Sequence, residues 1–115
     1  MRTPICTVHY DIIIIKILCK INFAKFLSDK NIVMYSAYWC PHCHDQKQLF
    51  GKKAVEELTI VECAKDGKNN QYKLCQEKGI EGFPSWEINN EIYSGTMSLN
   101  ELAEMTNYDG DINFE

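Results

Sequence analysis

The chain lacks an uninterrupted apolar run of about 20 residues, the length that a membrane-spanning helix requires. Its most apolar stretch, residues 11–21, is interrupted by Lys16 and Lys20. The stretch is also a poor signal peptide, because Asp11 precedes the apolar run and no small-residue cleavage site follows it. We therefore expect neither a transmembrane helix nor an export signal here.

Basic clusters, repeats and linkers are missing as well. The 115 residues carry a net charge of −4, and no cluster of Lys and Arg marks a nucleic-acid surface. With three Pro and six Gly, the chain contains no internal repeat, low-complexity tract or Pro/Gly-rich linker. We therefore expect no nucleic-acid partner and one domain over residues 22–107, between an apolar extension (1–21) and an acidic tail (108–115).

The structure of the N-terminal extension is left open by its sequence. Residues 12–15 are four isoleucines, and β-branched side chains favour an added edge strand. An amphipathic helix that lies on the domain or on a membrane is an equal alternative. Cys6 and Cys19 also fall in this extension, and their pairing stays open. We assign the extension no chemistry.

The rest of the sequence alternates between strand and helix patterns. Apolar runs predict strands over residues 31–38 and 58–63, and a hairpin with strands on either side of Asn89-Asn90. Helical patterns predict helices over 23–29, from Pro41 onwards with a break at Gly51, over 72–78, and from the capping box of Ser98 and Glu101. This order predicts an α/β fold with a mixed central sheet (βαβ, helix, β-hairpin, helix) and helices on both faces.

The most informative motif is Cys-Pro-His-Cys, formed by Cys40, Pro41, His42 and Cys43 between a predicted strand and a predicted helix. Cys40 is expected at the helix N-terminus, where unpaired backbone N–H groups favour negative charge and hence the reactive thiolate. Cys43 follows one helical turn later, close enough to resolve a mixed disulfide. The motif therefore predicts thiol–disulfide exchange, with Cys40 as the exposed sulfur and Cys43 buried behind it.

Other cysteine chemistry is also consistent with these residues. The motif could form half of a zinc site, with ligands drawn from Cys40, Cys43, His42, His44, Cys63 and Cys75. Pro41 in the first helical turn and Pro84 downstream argue against that site, so we expect no metal. Cys63 and Cys75 by themselves fit either a structural disulfide, which would indicate an oxidising compartment, or two buried free thiols.

Longer stretches of sequence resemble the thioredoxin superfamily. The stretch 39–43, the Gly-Phe-Pro-Ser of residues 82–85 about forty residues later, and the hairpin and helix that follow carry the resemblance over roughly residues 23–107. The sequence is most similar to the thioredoxin-like domain fused to vitamin K epoxide reductase homologues of cyanobacteria and plants at residues 38–47, 62–63, 74–75, 83–88 and 93–96.

The resemblance implies roles for individual residues. Cys40 and Cys43 would be the catalytic pair, tuned by Pro41 and His42. A cis Pro84 would face them and present the backbone of Phe83 to a substrate, beside an apolar surface that includes Trp39. Cys63 and Cys75 would form an extra disulfide.

The resemblance also implies partners and surroundings. Substrates would be protein thiols and disulfides, no organic cofactor would be needed, and a membrane-embedded reductase homologue would reoxidise the motif. This sequence contains no four-helix membrane domain, so that partner would be a separate polypeptide, or the chain would have another partner. We expect a monomer on the periplasmic or thylakoid-lumen face of a membrane.

Two residues favour an oxidising role. Typical thioredoxins carry a buried Asp six residues before the first motif cysteine, whereas this chain has Met34. The imidazole of His42 can stabilise the Cys40 thiolate, which makes the disulfide a stronger oxidant. The alternatives are a glutaredoxin-like, glutathione-dependent reductase, which Tyr35-Ser36 would fit, and a non-enzymatic zinc-binding or redox-sensing module.

Overall fold

The computed structural model describes residues 11–110 and Phe114. Helices and strands alternate in that part of the chain. The elements are α1 (Ile12–Asp29), β1 (Val33–Ser36), α2 (Pro41–Phe50), α3 (Lys52–Val55), β2 (Thr59–Glu62), α4 (Tyr72–Glu77), β3 (Ser85–Ile88), β4 (Glu91–Ser94) and α5 (Leu99–Met105).

The strands form one mixed sheet in the order β2-β1-β3-β4. β1 lies in its interior, parallel to β2 and antiparallel to β3, with Met34 opposite Trp86. β3 and β4 form an antiparallel hairpin. Its turn residues, Asn89 and Asn90, have φ angles of 52° and 68°, which a two-residue turn between twisted strands favours.

Side chains of the sheet alternate between two apolar clusters on opposite faces. On one face, Met34 and Trp86 belong to a large cluster that includes buried residues of α1, α2 and α5. On the other face, Tyr35 packs in a smaller cluster with Cys63 and with Cys75 of α4. The predicted fold, α/β with a mixed central sheet and helices on both faces, is therefore confirmed.

The described part of the N-terminal extension, residues 11–21, is helical from Ile12 onwards and is part of the domain core. α1 continues without a break across residue 21, so the helix predicted over 23–29 is only its last part. Cys19, Phe23 and Leu27 recur at helical spacing and are fully buried. This packing outweighs the β-propensity of the isoleucines, so the edge-strand alternative is wrong. Cys6, whose pairing we left open, lies outside the described residues.

The isoleucines at the start of α1 remain at the surface. Ile12, Ile13, Ile14 and Ile17 are all exposed, while the backbone N–H of Ile13 donates to the carboxylate of Asp11, which caps the helix. Within the part of the chain that the structure describes, neither this helix nor any other has the length and apolar character needed to cross a membrane.

The C-terminal segment contributes aromatic side chains to the core. Tyr108 packs against Phe23 and Phe26, with ring centroids 4.8 Å from each. Phe114 is buried, 5.2 Å from Phe23 by the same measure. The expected acidic tail over 108–115 therefore includes residues that cover α1.

Candidate active site

The Cys-Pro-His-Cys motif begins helix α2 immediately beyond the central strand. β1 ends at Ser36, and the backbone N–H of Cys40 donates to the Ala37 carbonyl at 3.0 Å in the turn that follows. Cys40 is the N-cap residue of α2, and Pro41 occupies the first helical turn, where its missing N–H costs no hydrogen bond. The sulfur of Cys40 is thereby placed at the positive end of the helix dipole.

Both motif sulfurs are largely covered. Cys40 is 7% exposed and Cys43 is 2% exposed, so our expectation that Cys40 is an exposed residue is wrong. The reason is a loop distant in sequence: the thiol of Cys40 donates to the backbone carbonyl of Phe83 at 3.5 Å. Cys40 is more exposed than Cys43, and its sulfur lies beside this loop.

The loop that meets Cys40 contains the Phe83–Pro84 peptide bond, which is cis. Its neighbours hold it in place: the hydroxyl of Ser85 donates to the Gly82 carbonyl at 2.6 Å, and the Gly95 N–H donates to the Pro84 carbonyl at 2.8 Å. The structure therefore brings Cys40, Phe83 and Pro84 together from regions about forty residues apart.

Aromatic rings lie next to this contact. The indole of Trp39 is 58% exposed and meets the ring of Phe83 edge-on, with centroids 6.0 Å apart. Tyr38 is also exposed, and its hydroxyl donates to the Asp66 carboxylate at 2.9 Å. Trp39 and Phe83 form an apolar surface, which we call the Trp39–Phe83 surface, adjoining the sulfur of Cys40.

The pKa of Cys43 is raised above its ordinary value, chiefly because burial penalises the thiolate. The Ser36 hydroxyl and the backbone of Ala37 oppose this rise, because donation to the sulfur would favour the thiolate. Hydrogen bonding with Cys40, and the charge of Cys40, add to it. Cys43 is therefore a thiol at neutral pH in the reduced protein, and when it ionises, the Ser36 hydroxyl and the backbone of Ala37 favour its thiolate.

A buried amide fixes the orientation of α2. Gln46 is fully buried; its side chain accepts from the indole N–H of Trp86 at 3.1 Å and from the Met97 N–H at 2.8 Å, and donates to the Met97 carbonyl at 2.8 Å. Sequence reasoning missed this residue. The available signal was its spacing, since Gln46 lies three residues after Cys43 and four before Phe50, on the buried face of the helix.

The remaining residues of the motif lie at the surface. Pro41 and His42 are exposed at the start of α2, and the hydroxyl of Thr96 donates to the His42 carbonyl at 3.4 Å. His44 is also exposed, and its ring nitrogen lies 3.2 Å from the side-chain amide of Gln48.

The second cysteine pair lies on the opposite face of the sheet. Cys63 and Cys75 are joined by a disulfide with their Cα atoms 5.8 Å apart, and both are buried. The Cys63 N–H donates to the Ser36 carbonyl at 2.7 Å. Because both sulfurs are bonded to each other, they are not thiolate ligands for the zinc alternative. Among residues 11–110 and 114, no three His, Cys, Asp or Glu side chains are grouped as metal ligands.

Comparison with known proteins gives a family match and two named relatives. The sequence matches the family described as "Thioredoxin" over residues 14–107. It is 46% identical over 91 residues to "Thiol-disulfide oxidoreductase LTO1" of Arabidopsis thaliana, an alignment that covers 76% of this chain and 24% of that protein. It is 30% identical over 70 residues to "Protein disulfide-isomerase" of Arthroderma benhamiae, covering 58% of this chain and 13% of that protein. The chain thus spans a quarter or less of the length of these relatives.

Proposed function

This chain belongs to the thioredoxin family, and we propose that it is a thiol–disulfide oxidoreductase that exchanges disulfides with protein substrates through Cys40 and Cys43. One observation carries the proposal: Cys40 caps α2 while its sulfur lies 3.5 Å from the carbonyl that precedes the cis Pro84. The start of α2 favours negative charge on this sulfur, and the backbone of Phe83 lies next to it. The names of both relatives describe disulfide chemistry, which supports the same activity.

The exchange proceeds in two displacements when the substrate is oxidised. A substrate thiolate attacks Cys40 of the Cys40–Cys43 disulfide, a bond forms between the substrate and Cys40, and Cys43 leaves with the electron pair of the broken bond. A second substrate thiolate then attacks the substrate sulfur of this mixed disulfide, and Cys40 leaves as a thiolate. The substrate has lost two electrons, and the motif has gained them. Partial positive charge at the start of α2 stabilises the departing Cys40.

Substrate segments dock in extended form against the loop beside Cys40. The backbone of Phe83 lies at the sulfur, so a substrate cysteine can reach Cys40 while its neighbours bond to that backbone. The Trp39–Phe83 surface supplies apolar contact, since the Trp39 indole is exposed at the site. These contacts recognise chain conformation and apolar character, which suits an enzyme with several protein substrates.

Substrate oxidation is the direction that we favour. Met34 is fully buried where typical thioredoxins would place an acidic group, and His42 lies between the two cysteines. The Cys63–Cys75 disulfide is consistent with an oxidising compartment. In this view a membrane-embedded homologue of vitamin K epoxide reductase reoxidises the reduced motif. The sequence of residues 38–47, 83–88 and 93–96 resembles the thioredoxin-like domain that is fused to such reductase homologues, and this resemblance supports that partner.

Trapping of the mixed disulfide tests the activity. The chain with Cys43→Ser, mixed with an oxidised peptide substrate, is expected to accumulate a peptide adduct on Cys40, detected by mass mapping. The matched Cys40→Ser chain is expected to accumulate none at either position. Equal adduct formation by the two variants would contradict the assignment of Cys40 as the attacking sulfur.

The direction of exchange needs a separate measurement. Equilibration of the Cys40–Cys43 pair in glutathione buffers gives its reduction potential, and we expect a value between those of thioredoxin, about −270 mV, and of a strong oxidant, about −120 mV, towards the latter. A potential as low as that of thioredoxin would overturn the oxidising assignment. Rapid turnover of a glutathionylated peptide would instead favour the glutaredoxin-like alternative.

A further inference from the structure

The hydroxyl of Ser36 has no hydrogen-bond partner among the described residues, although the residue is only 1% exposed. Buried hydroxyls are almost always hydrogen-bonded, because an unpaired one loses its bonds to water without replacement. The backbone of Ser36 does not share this situation, since its carbonyl accepts from Cys63 at 2.7 Å. The unpaired state therefore concerns only the side-chain hydroxyl of Ser36 and not its backbone.

Ser36 is the last residue of β1 and lies on the same face of that strand as Met34, which packs in the cluster that contains Cys43. No hydrogen bond of ordinary geometry joins Ser36 to the Cys43 thiol, yet the hydroxyl is near enough that bonding to the charged sulfur lowers the pKa of Cys43. The missing bond to the thiol and this lowering of the pKa are both explained if the Ser36 hydroxyl donates to Cys43 only when Cys43 is a thiolate. A thiolate is the stronger acceptor, and hydrogen bonds to charged groups are the strong ones.

Stabilisation by an opposite charge is absent from the surroundings of Cys43. Among the described residues, the one charge that influences its titration is that of Cys40, which disfavours the Cys43 thiolate. Met34, two residues before Ser36 on the same face of β1, is fully buried and carries no charge. The thiolate therefore depends on neutral donors, namely the Ser36 hydroxyl and the backbone of Ala37.

Resting on the proposed function, we propose that the Ser36 hydroxyl donates a hydrogen bond to the Cys43 thiolate during disulfide exchange. Cys43 carries the charge at two steps. When a substrate thiolate attacks Cys40 of the Cys40–Cys43 disulfide, Cys43 leaves with the electron pair and then takes a proton from water. In the reverse step the Cys43 thiolate attacks Cys40, the Cys40–Cys43 bond re-forms, and the substrate leaves as a thiolate.

The proposal predicts a kinetic effect without loss of stability. Ser36→Ala removes a hydroxyl that is unpaired in the reduced protein, so the fold is expected to keep its melting temperature within about 4 °C. The Cys43 thiolate loses a donor, so attack by Cys43 is expected to slow about tenfold at pH 7. Its pH profile is expected to move to higher pH by about one unit.

Ellman's reagent provides the test. The reduced full chain is mixed with the reagent across a range of pH, quenched with acid, and mapped by mass, which separates the adduct on Cys40 from the Cys40–Cys43 disulfide. Ser36→Ala is expected to form the adduct at the rate of the unmodified chain and to convert it to the disulfide more slowly. Ser36→Thr, which retains a hydroxyl, is expected to keep the original pH profile.

Several results would overturn the inference. Superimposable pH profiles for conversion in the Ser36→Ala chain and the unmodified chain would do so, as would slowed conversion in Ser36→Thr. A melting temperature far below that of the unmodified chain would also do so, because it would assign the hydroxyl a structural role. Failure of Cys40 to form any adduct would instead count against the proposed function and is distinguishable on the same map.

Discussion

The indole N–H of Trp86 donates to the side-chain carbonyl of Gln46 at 3.1 Å, joining the central sheet to the helix that begins with the motif. The same amide also bonds both backbone groups of Met97, before α5. One buried side chain thus fixes α2 relative to β3 and to the segment that follows the hairpin. The position of Cys43, one turn before Gln46 on the same face, depends on this arrangement.

Replacement of this amide by an apolar side chain is expected to destabilise the protein. Gln46→Leu leaves the Trp86 indole N–H without a partner in the core, which costs about 1–3 kcal/mol, and the half-buried backbone groups of Met97, which water can partly satisfy, add less. We expect the free energy of unfolding to fall by about 2–4 kcal/mol in urea titrations. Gln48→Leu, on the exposed side of the same helix, is the control and should change stability by about 0.5 kcal/mol or less. Equal effects of the two substitutions would contradict the role of Gln46.

Local patterns in the sequence were sufficient for the order of elements and for the fold class. The hairpin at Asn89-Asn90 and the capping box of Ser98 and Glu101 rest on interactions between near neighbours, and both are present. The burial of Cys40 could not be predicted in this way. It depends on the carbonyl of Phe83, which is separated from Cys40 along the chain by α2, α3, β2 and α4.

The extent of α1 was missed for a related reason. Its isoleucines favour extended chain by themselves, and the helix is stabilised by contacts of Phe23 with the distant rings of Phe50, Tyr108 and Phe114. Such contacts are not visible in the local pattern of residues 11–21. Tertiary packing overrides intrinsic propensity here, which is the usual outcome for short segments.

Substitutions along α1 test its contribution to the core. Leu27 is fully buried and Ile13 is 66% exposed on the same helix. We expect Leu27→Ala to lower the free energy of unfolding by about 2–5 kcal/mol, because it leaves a cavity in the core cluster to which α1 contributes. The matched Ile13→Ala change should cost about 0.5 kcal/mol or less. Comparable losses in denaturant titrations would contradict the described placement of α1.

Acid sensitivity is expected to depend on Glu87, on the face of the sheet opposite α2. The pKa of Glu87 is lowered, first by a hydrogen bond from the Tyr35 hydroxyl at 2.6 Å and then by the Lys78 ammonium at 2.9 Å. Since its pKa is lower in the folded state, this stabilisation is fully present above the ordinary value of 4.5 and is lost as pH falls through the folded value.

Glu87→Gln should therefore reduce stability at pH 7 by about 1 kcal/mol and make the midpoint of urea unfolding less sensitive to acid between pH 5 and about pH 3. Glu77→Gln, at an exposed position of α4, is the control and should leave the acid dependence unchanged. A Glu87→Gln protein that loses stability with acid as steeply as the unmodified protein would show that this carboxylate is not the cause.

The Trp39–Phe83 surface is expected to discriminate between large and small disulfides. Trp39 is exposed and contacts Phe83 beside Cys40, so its indole is available to a bound peptide. We expect Trp39→Ala to slow exchange with a peptide disulfide about tenfold, because exposed aromatic side chains contribute strongly to peptide binding. Exchange with oxidised glutathione, which is too small to cover the surface, should change by less than about threefold.

Leu49→Ala serves as the control for this change, because Leu49 is an exposed apolar side chain on α2 and lines a separate cavity with Lys20 and Phe114. It should leave both exchange rates as they are. The measurement is the rate of Cys40 adduct formation with each disulfide in the Cys43→Ser background. If Trp39→Ala slowed both disulfides equally, the indole would be acting on the reactivity of Cys40 and not on substrate docking.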